Sequence, residues 1–146
     1  MQRNEISAAA MAHFKSGLNC AESVLLTMCE YWELDAACAP AIATPFGGGF
    51  AGTQLSCGAM TGGLMAIGLR LGRDDEKGDR QPSYQAAKAF MNWFIKEMET
   101  TGCREITGID MSNPEQNAAF RAPQGRHDTV CVPLVGRVTA YLAEHV

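Results

Sequence analysis

The sequence predicts an all-α protein, a single-domain bundle of about five or six helices with a glycine-rich central helix. Three observations predict it. Apolar residues recur at steps of three and four through most of the chain, the spacing of one helical face. No segment has the period-two alternation of a half-buried strand. Asn, Ser, Pro and Gly fall where helices start and stop. No internal repeat is present, so residues 1–146 read as one helical four-cysteine domain. With 47% hydrophobic residues it can bury a core without disulfide staples.

The elements follow in order. Ile6, Ala9, Ala10, His13 and Phe14 share a face of a first helix that Gly17 stops. Asn19 with Glu22 three positions on is a capping-box pattern. Ala21, Val24, Leu25, Met28 and Trp32 then form the apolar face of the next helix. Pro40 and Pro45 mark a loop, a glycine-rich segment follows, and Ser56 is the expected N-cap of a third helix. There Cys57, Met60, Leu64, Ile67 and Leu71 form a stripe, interrupted by Gly58, Gly62, Gly63 and Gly68. Each interior glycine costs about 1 kcal/mol relative to alanine, so another backbone is expected to approach that face closely. Residues 70–80, including Asp74-Asp75-Glu76, read as a solvated connector. Pro82-Ser83 starts a long helix whose Tyr84, Ala87, Met91, Phe94 and Met98 form a core or subunit-contact face, stopped by Gly102. A short turn from Cys103 leads to Asp110. Asn113-Pro114-Glu115 opens another helix, with Pro in its favoured first position. After a loop through Pro123 and Gly125 the last helix runs from about Pro133 to His145.

A net charge of −4 and a pI near 5.3, with no run of Lys or Arg, exclude a nucleic-acid partner, which needs a basic face. No apolar h-region follows the N-terminus, so the expected location is cytoplasmic. In that reducing compartment cysteines serve as metal ligands or redox groups more often than as bridges. Residues 36–69 carry no charge at all, but Pro40, Pro45 and Gly47-Gly48-Gly49 break the segment. Its apolar part, Cys57 to Leu69, falls short of the ~20 residues of a membrane span. It reads as the buried centre of the domain.

Four of the six cysteines share a context. Cys20 follows Asn19, Cys57 follows Ser56, Cys103 follows Gly102, and Cys131 lies two residues before Pro133. Each is expected in or just before the first turn of a helix, where free N–H groups and the positive dipole end favour a thiolate. Cys29 and Cys38 read instead as small buried hydrophobes. No Cys-x-x-Cys pair is present, which excludes a thioredoxin motif and a zinc knuckle. Thiolates gathered from four helices can hold an iron–sulfur cluster or a tetrahedral zinc. They can equally form two dithiol pairs that cycle with disulfides. Spacing alone leaves both open.

Gly47 to Gly52 matches G-x-G-x-x-G literally, yet no strand precedes it, and Thr53 stands where a phosphate-binding loop has Lys. It is expected to be a tight, close-packed loop. His13 reads as a core or boundary histidine. His127, four residues before Cys131, could join a metal site from a polar loop, and His145 is terminal. No Ser/His/Asp arrangement or acid pair stands out.

At Asn19-Cys20-Ala21, Phe46-Gly47-Gly48-Gly49, Cys57-Gly58-Ala59-Met60-Thr61-Gly62, Cys103-Arg104-Glu105 with Gly108 and Asp110, and Cys131, the chain resembles the C-GCAxxG-C-C family. This is a family of redox-active proteins of about this length, named for four cysteines and a CGAxxG motif. The resemblance covers nearly the whole chain. It implies that Cys20, Cys57, Cys103 and Cys131 are the family cysteines, that Cys29 and Cys38 are additions, and that members are linked genomically to transporters. Residues 51–54, less glycine-rich than the pattern, and the insert-like stretch 112–130 depart from it without touching the cysteines.

The expected function is therefore that of a redox-active protein whose Cys20, Cys57, Cys103 and Cys131 converge. They would ligate an iron–sulfur cluster or other metal ion for electron transfer. In the alternative they are the redox thiols of a metal-free dithiol/disulfide oxidoreductase. A third reading is a non-catalytic partner of a membrane transporter, docking through the glycine-rich helix. A redox partner is implied, and the apolar helix faces suit a homodimer.

Overall fold

A computed structural model describes residues 1–146. A 3₁₀ turn at Arg3–Glu5 leads into α1 (Ile6–Lys15), followed by α2 (Cys20–Trp32), α3 (Ala39–Ala43) and a 3₁₀ turn at Thr44–Phe46. Next come α4 (Gly58–Leu71), α5 (Gln81–Met98), α6 (Cys103–Thr107) and α7 (Pro114–Arg121). A π-helical turn, His127–Cys131, runs into α8 (Val132–His145). The fold is all-α; its one β feature is an isolated antiparallel bridge between Ser56 and Gly102.

There are eight α-helices rather than five or six. The two extra ones, α3 and α6, are five residues each, little more than one turn, too short to display a helical period. Capping explains the better-read ends. The Asn19 side chain accepts from the Glu22 N–H at 2.9 Å, and Glu22 Oε2 accepts from the Asn19 N–H at 2.7 Å. Asn113 Oδ1 accepts from the N–H groups of Glu115 and Gln116. Two ends differ from expectation: Glu99, at φ 63°, closes α5 ahead of Gly102, and Cys57 rather than Ser56 is the N-cap of α4.

The core is one cluster of 23 buried residues. Within it α2 packs on α1, α3, α4 and α8, while α4 packs on α2, α5 and α8. The close backbone approach expected at the α4 glycines is present at Gly58 and Gly62, where a Cβ would stand 2.9 Å from the Phe46 carbonyl oxygen and 2.7 Å from the Ala21 carbonyl oxygen. At Gly63 a side chain approaches instead, and a Cβ would stand 2.7 Å from the Phe90 ring. At Gly68 nothing lies within 4 Å. On α5 the buried face is narrower than expected: Phe90 and Phe94 are buried, whereas Tyr84, Ala87 and Met91 line a shallow surface groove. The uncharged stretch 36–69 forms α3, the glycine loop and most of α4, and no helix of the chain is long and apolar enough to cross a membrane.

Candidate functional site: a cavity lined by four cysteines

The site begins with a backbone feature. Gly48, Gly49, Phe50, Ala51 and Gly52 all have φ between 54° and 76°, a left-handed turn in which two residues carry side chains. Its hydrogen bonds run from the N–H of Ala51 to the Pro45 carbonyl (2.7 Å) and from those of Gln54 and Leu55 to the Gly48 and Gly49 carbonyls (both 2.9 Å). This loop is tight and close-packed, as expected: a Cβ at Gly49 would fall 2.7 Å from Cys103 Cβ. It delivers residues 55–57 against 101–103. The Cys57 N–H donates to the Thr101 carbonyl at 2.8 Å and the Cys103 N–H to the Leu55 carbonyl at 2.6 Å. Two cysteines distant in sequence are thereby placed side by side.

Cys20 is the first residue of α2, Cys57 the N-cap of α4, and Cys103 the first residue of α6. Gly58 lies under the Cys20 sulfur, where any side chain would collide with Sγ. Cys131 is the N-cap of α8, as expected, but it also closes the π-helical turn with helical backbone angles (φ −71°, ψ −42°), so the path into α8 is continuous rather than a free helix start. All four cysteines line one cavity of about 560 Å³, walled in addition by Phe14, Phe120 and His127, with Lys15 and Arg121 also in its lining.

The electrostatics overturn the expected preference for thiolate. Burial pushes all four thiols up, Cys103 to about 11 and Cys131 to about 12. Negative charge on Cys20 would raise the other three further. Opposing this, the N–H groups of Gly48, Ala21 and Gly58 favour charge on Cys20, those of Met60 and Ala59 favour it on Cys57, and Arg126 and Arg121 favour it on Cys131. Desolvation is the largest effect at each sulfur, so the free thiols stay protonated at neutral pH. All six cysteines are free thiols.

Four sulfurs and one imidazole around a cavity are a soft donor set. No three His, Cys, Asp or Glu groups stand close enough together to grip a single ion.

The remaining candidates separate cleanly. Cys29 is buried in the core, as expected, but Cys38 is exposed at the start of α3, because a one-turn helix leaves its N-cap outside the packing. His13 is a boundary residue paired with Glu30 at 2.9 Å. His145 stacks on Tyr141 with ring centroids 4.2 Å apart. His127 is less exposed than its polar neighbours suggest: its ring packs on Phe14 (4.6 Å) and edge-on to Phe120 (5.5 Å).

Two residues near the site escaped the sequence reading. Gln54, buried and at φ 58°, donates through Nε2 to Thr107 Oγ1 (3.2 Å) and the Ile109 carbonyl (2.9 Å), and accepts from the Met111 N–H (2.7 Å). Arg126 donates from Nε to the Thr107 carbonyl (2.5 Å) and from Nη2 to the Ile106 carbonyl (2.9 Å). Their partners lie far off in sequence; the one local hint was Gly108, the left-handed residue that ends α6.

A helical fold that brings four thiols to one cavity defines a cysteine-centred protein. Residues 18–145 match the family described as Putative redox-active protein (C_GCAxxG_C_C), and the chain belongs to that family. No curated protein and no solved structure matches the chain.

Proposed function

We propose that this protein is an electron-transfer protein whose Cys20, Cys57, Cys103 and Cys131 hold an iron–sulfur cluster, or another soft-metal centre, in the shared cavity. The observation that carries the reading is the convergence of sulfurs from four separate segments on one cavity. When bound, such a cluster accepts and returns one electron. The chain's own part is to supply the ligands, exclude water and tune the charge. Phe14, Phe120, Ile106 and Leu134 give the cavity apolar walls. The N–H groups of Gly48, Ala21 and Gly58 at Cys20, and of Ala59 and Met60 at Cys57, offset negative charge on the sulfurs.

The raised thiol pKa values favour this reading over metal-free dithiol exchange. Exchange needs an attacking thiolate, and these thiols hold their protons at neutral pH. A bound cation reverses that balance and displaces the protons.

Anaerobic purification followed by iron and acid-labile sulfide analysis and a visible spectrum tests the proposal. Iron, sulfide and broad visible absorption are expected, lost on changing any of the four cysteines to Ser and retained in Cys29→Ser. A folded, colourless, metal-free protein whose four thiols pair reversibly on oxidation overturns it in favour of the dithiol oxidoreductase.

A further inference from the structure

The turn after α6 is held from two sides. Gln54 grips it from the glycine loop through Thr107, Ile109 and Met111. Arg126, the residue that opens the π-helical turn, grips it from the other side through Ile106 and Thr107. These two carbonyls end a helix of five residues and carry its negative dipole end, so a cation with two parallel donors fits them. Gly108 sits at φ 68° beneath the guanidinium, where a Cβ would stand 3.4 Å from Nε and 3.6 Å from Cζ. Arg126 takes part in none of the five ion pairs.

We infer that Arg126 is a positioning residue of the cysteine site. Its guanidinium latches the turn carrying Cys131 to the carboxyl end of the helix carrying Cys103. The latch rests on geometry alone. Lysine cannot replace it, because it has a point charge and no fork.

Arg126→Gln and Arg126→Lys test the latch. In the reduced, metal-free protein, N-ethylmaleimide labelling is followed cysteine by cysteine, with exposed Cys38 as the internal reference. Cys131 is expected to label about tenfold faster in Arg126→Gln, the worth of one charge-assisted hydrogen bond, while Cys57 is unchanged. Arg126→Lys, which keeps the charge but loses the fork, gives a comparable rise at Cys131. Should Arg126→Gln unfold, exposing Cys29 and Cys57 as well, Arg126→Lys decides: a rise confined to Cys131 supports the latch, and wild-type labelling overturns it. If the wild type takes up no metal, the proposed function fails while the labelling still decides the latch.

Discussion

At Gly58 the backbone of α4 lies directly under the Cys20 sulfur, and a Cβ there would also stand 2.9 Å from the Phe46 carbonyl oxygen. At Gly68, ten residues along the same helix, a Cβ would meet nothing. The two positions therefore respond oppositely to the same substitution. Gly58→Ala should displace Cys20 and cost about 1–3 kcal/mol, as overpacking does. Gly68→Ala should stabilise by about 1 kcal/mol through helix propensity. Urea denaturation of the metal-free protein checks both; a gain at Gly58 or a loss at Gly68 contradicts this packing. At this scale the sequence singles out the four cysteines that line the cavity, because position relative to Asn19, Ser56 and Gly102 is local information. It misjudges their charge state, because desolvation depends on what packs around each sulfur. Gln54 and Arg126 were illegible for a related reason: their hydrogen-bond partners are set by the tertiary fold.

Among the elements, the left-handed turn at 48–52 stores strain at Phe50 and Ala51, since the left-handed region costs a residue with a Cβ about 1–2 kcal/mol. Ala51 is exposed and its side chain contributes little packing. Ala51→Gly should raise stability by about 0.5 kcal/mol, the relieved strain less the added freedom of the unfolded chain. A shift of the urea midpoint to lower concentration would contradict the backbone described here. α2, with a capping residue and several turns of apolar periodicity, was legible from sequence, and the start of α7 was legible from Asn113-Pro114. The one-turn helices α3 and α6 lack a period to read. The helix-start signal around Pro133 places Cys131 correctly as the N-cap of α8, but it does not reveal the π turn at His127–Cys131 that precedes it.

Over the whole molecule, the all-α class was legible because the absence of alternation is a property of the entire chain. The arrangement of helices was not: periodicity marks a buried face without naming the partner it packs on. The convergence of the four cysteines is a result of that arrangement, so spacing alone could not reveal it. It also gives the molecule a pH signature. The folded thiols titrate above their ordinary value of 9.0. Their contribution to stability is therefore complete below about pH 9 and is lost as pH rises through about 11 for Cys103 and about 12 for Cys131. The metal-free protein should show a urea midpoint that begins to fall above pH 9, with a shallower fall in Cys103→Ala. An unchanged slope in that variant would contradict the assignment. Metal loading should reverse the dependence, because ligation requires deprotonated sulfur and is lost in acid.

X-ray absorption at the iron edge of anaerobically purified protein tests the central claim most directly, since it reads the atoms bound to the metal. Four convergent cysteines predict a shell made of sulfur alone, with no nitrogen or oxygen contribution. A shell dominated by nitrogen or oxygen, or a folded protein that binds no metal, would contradict the account.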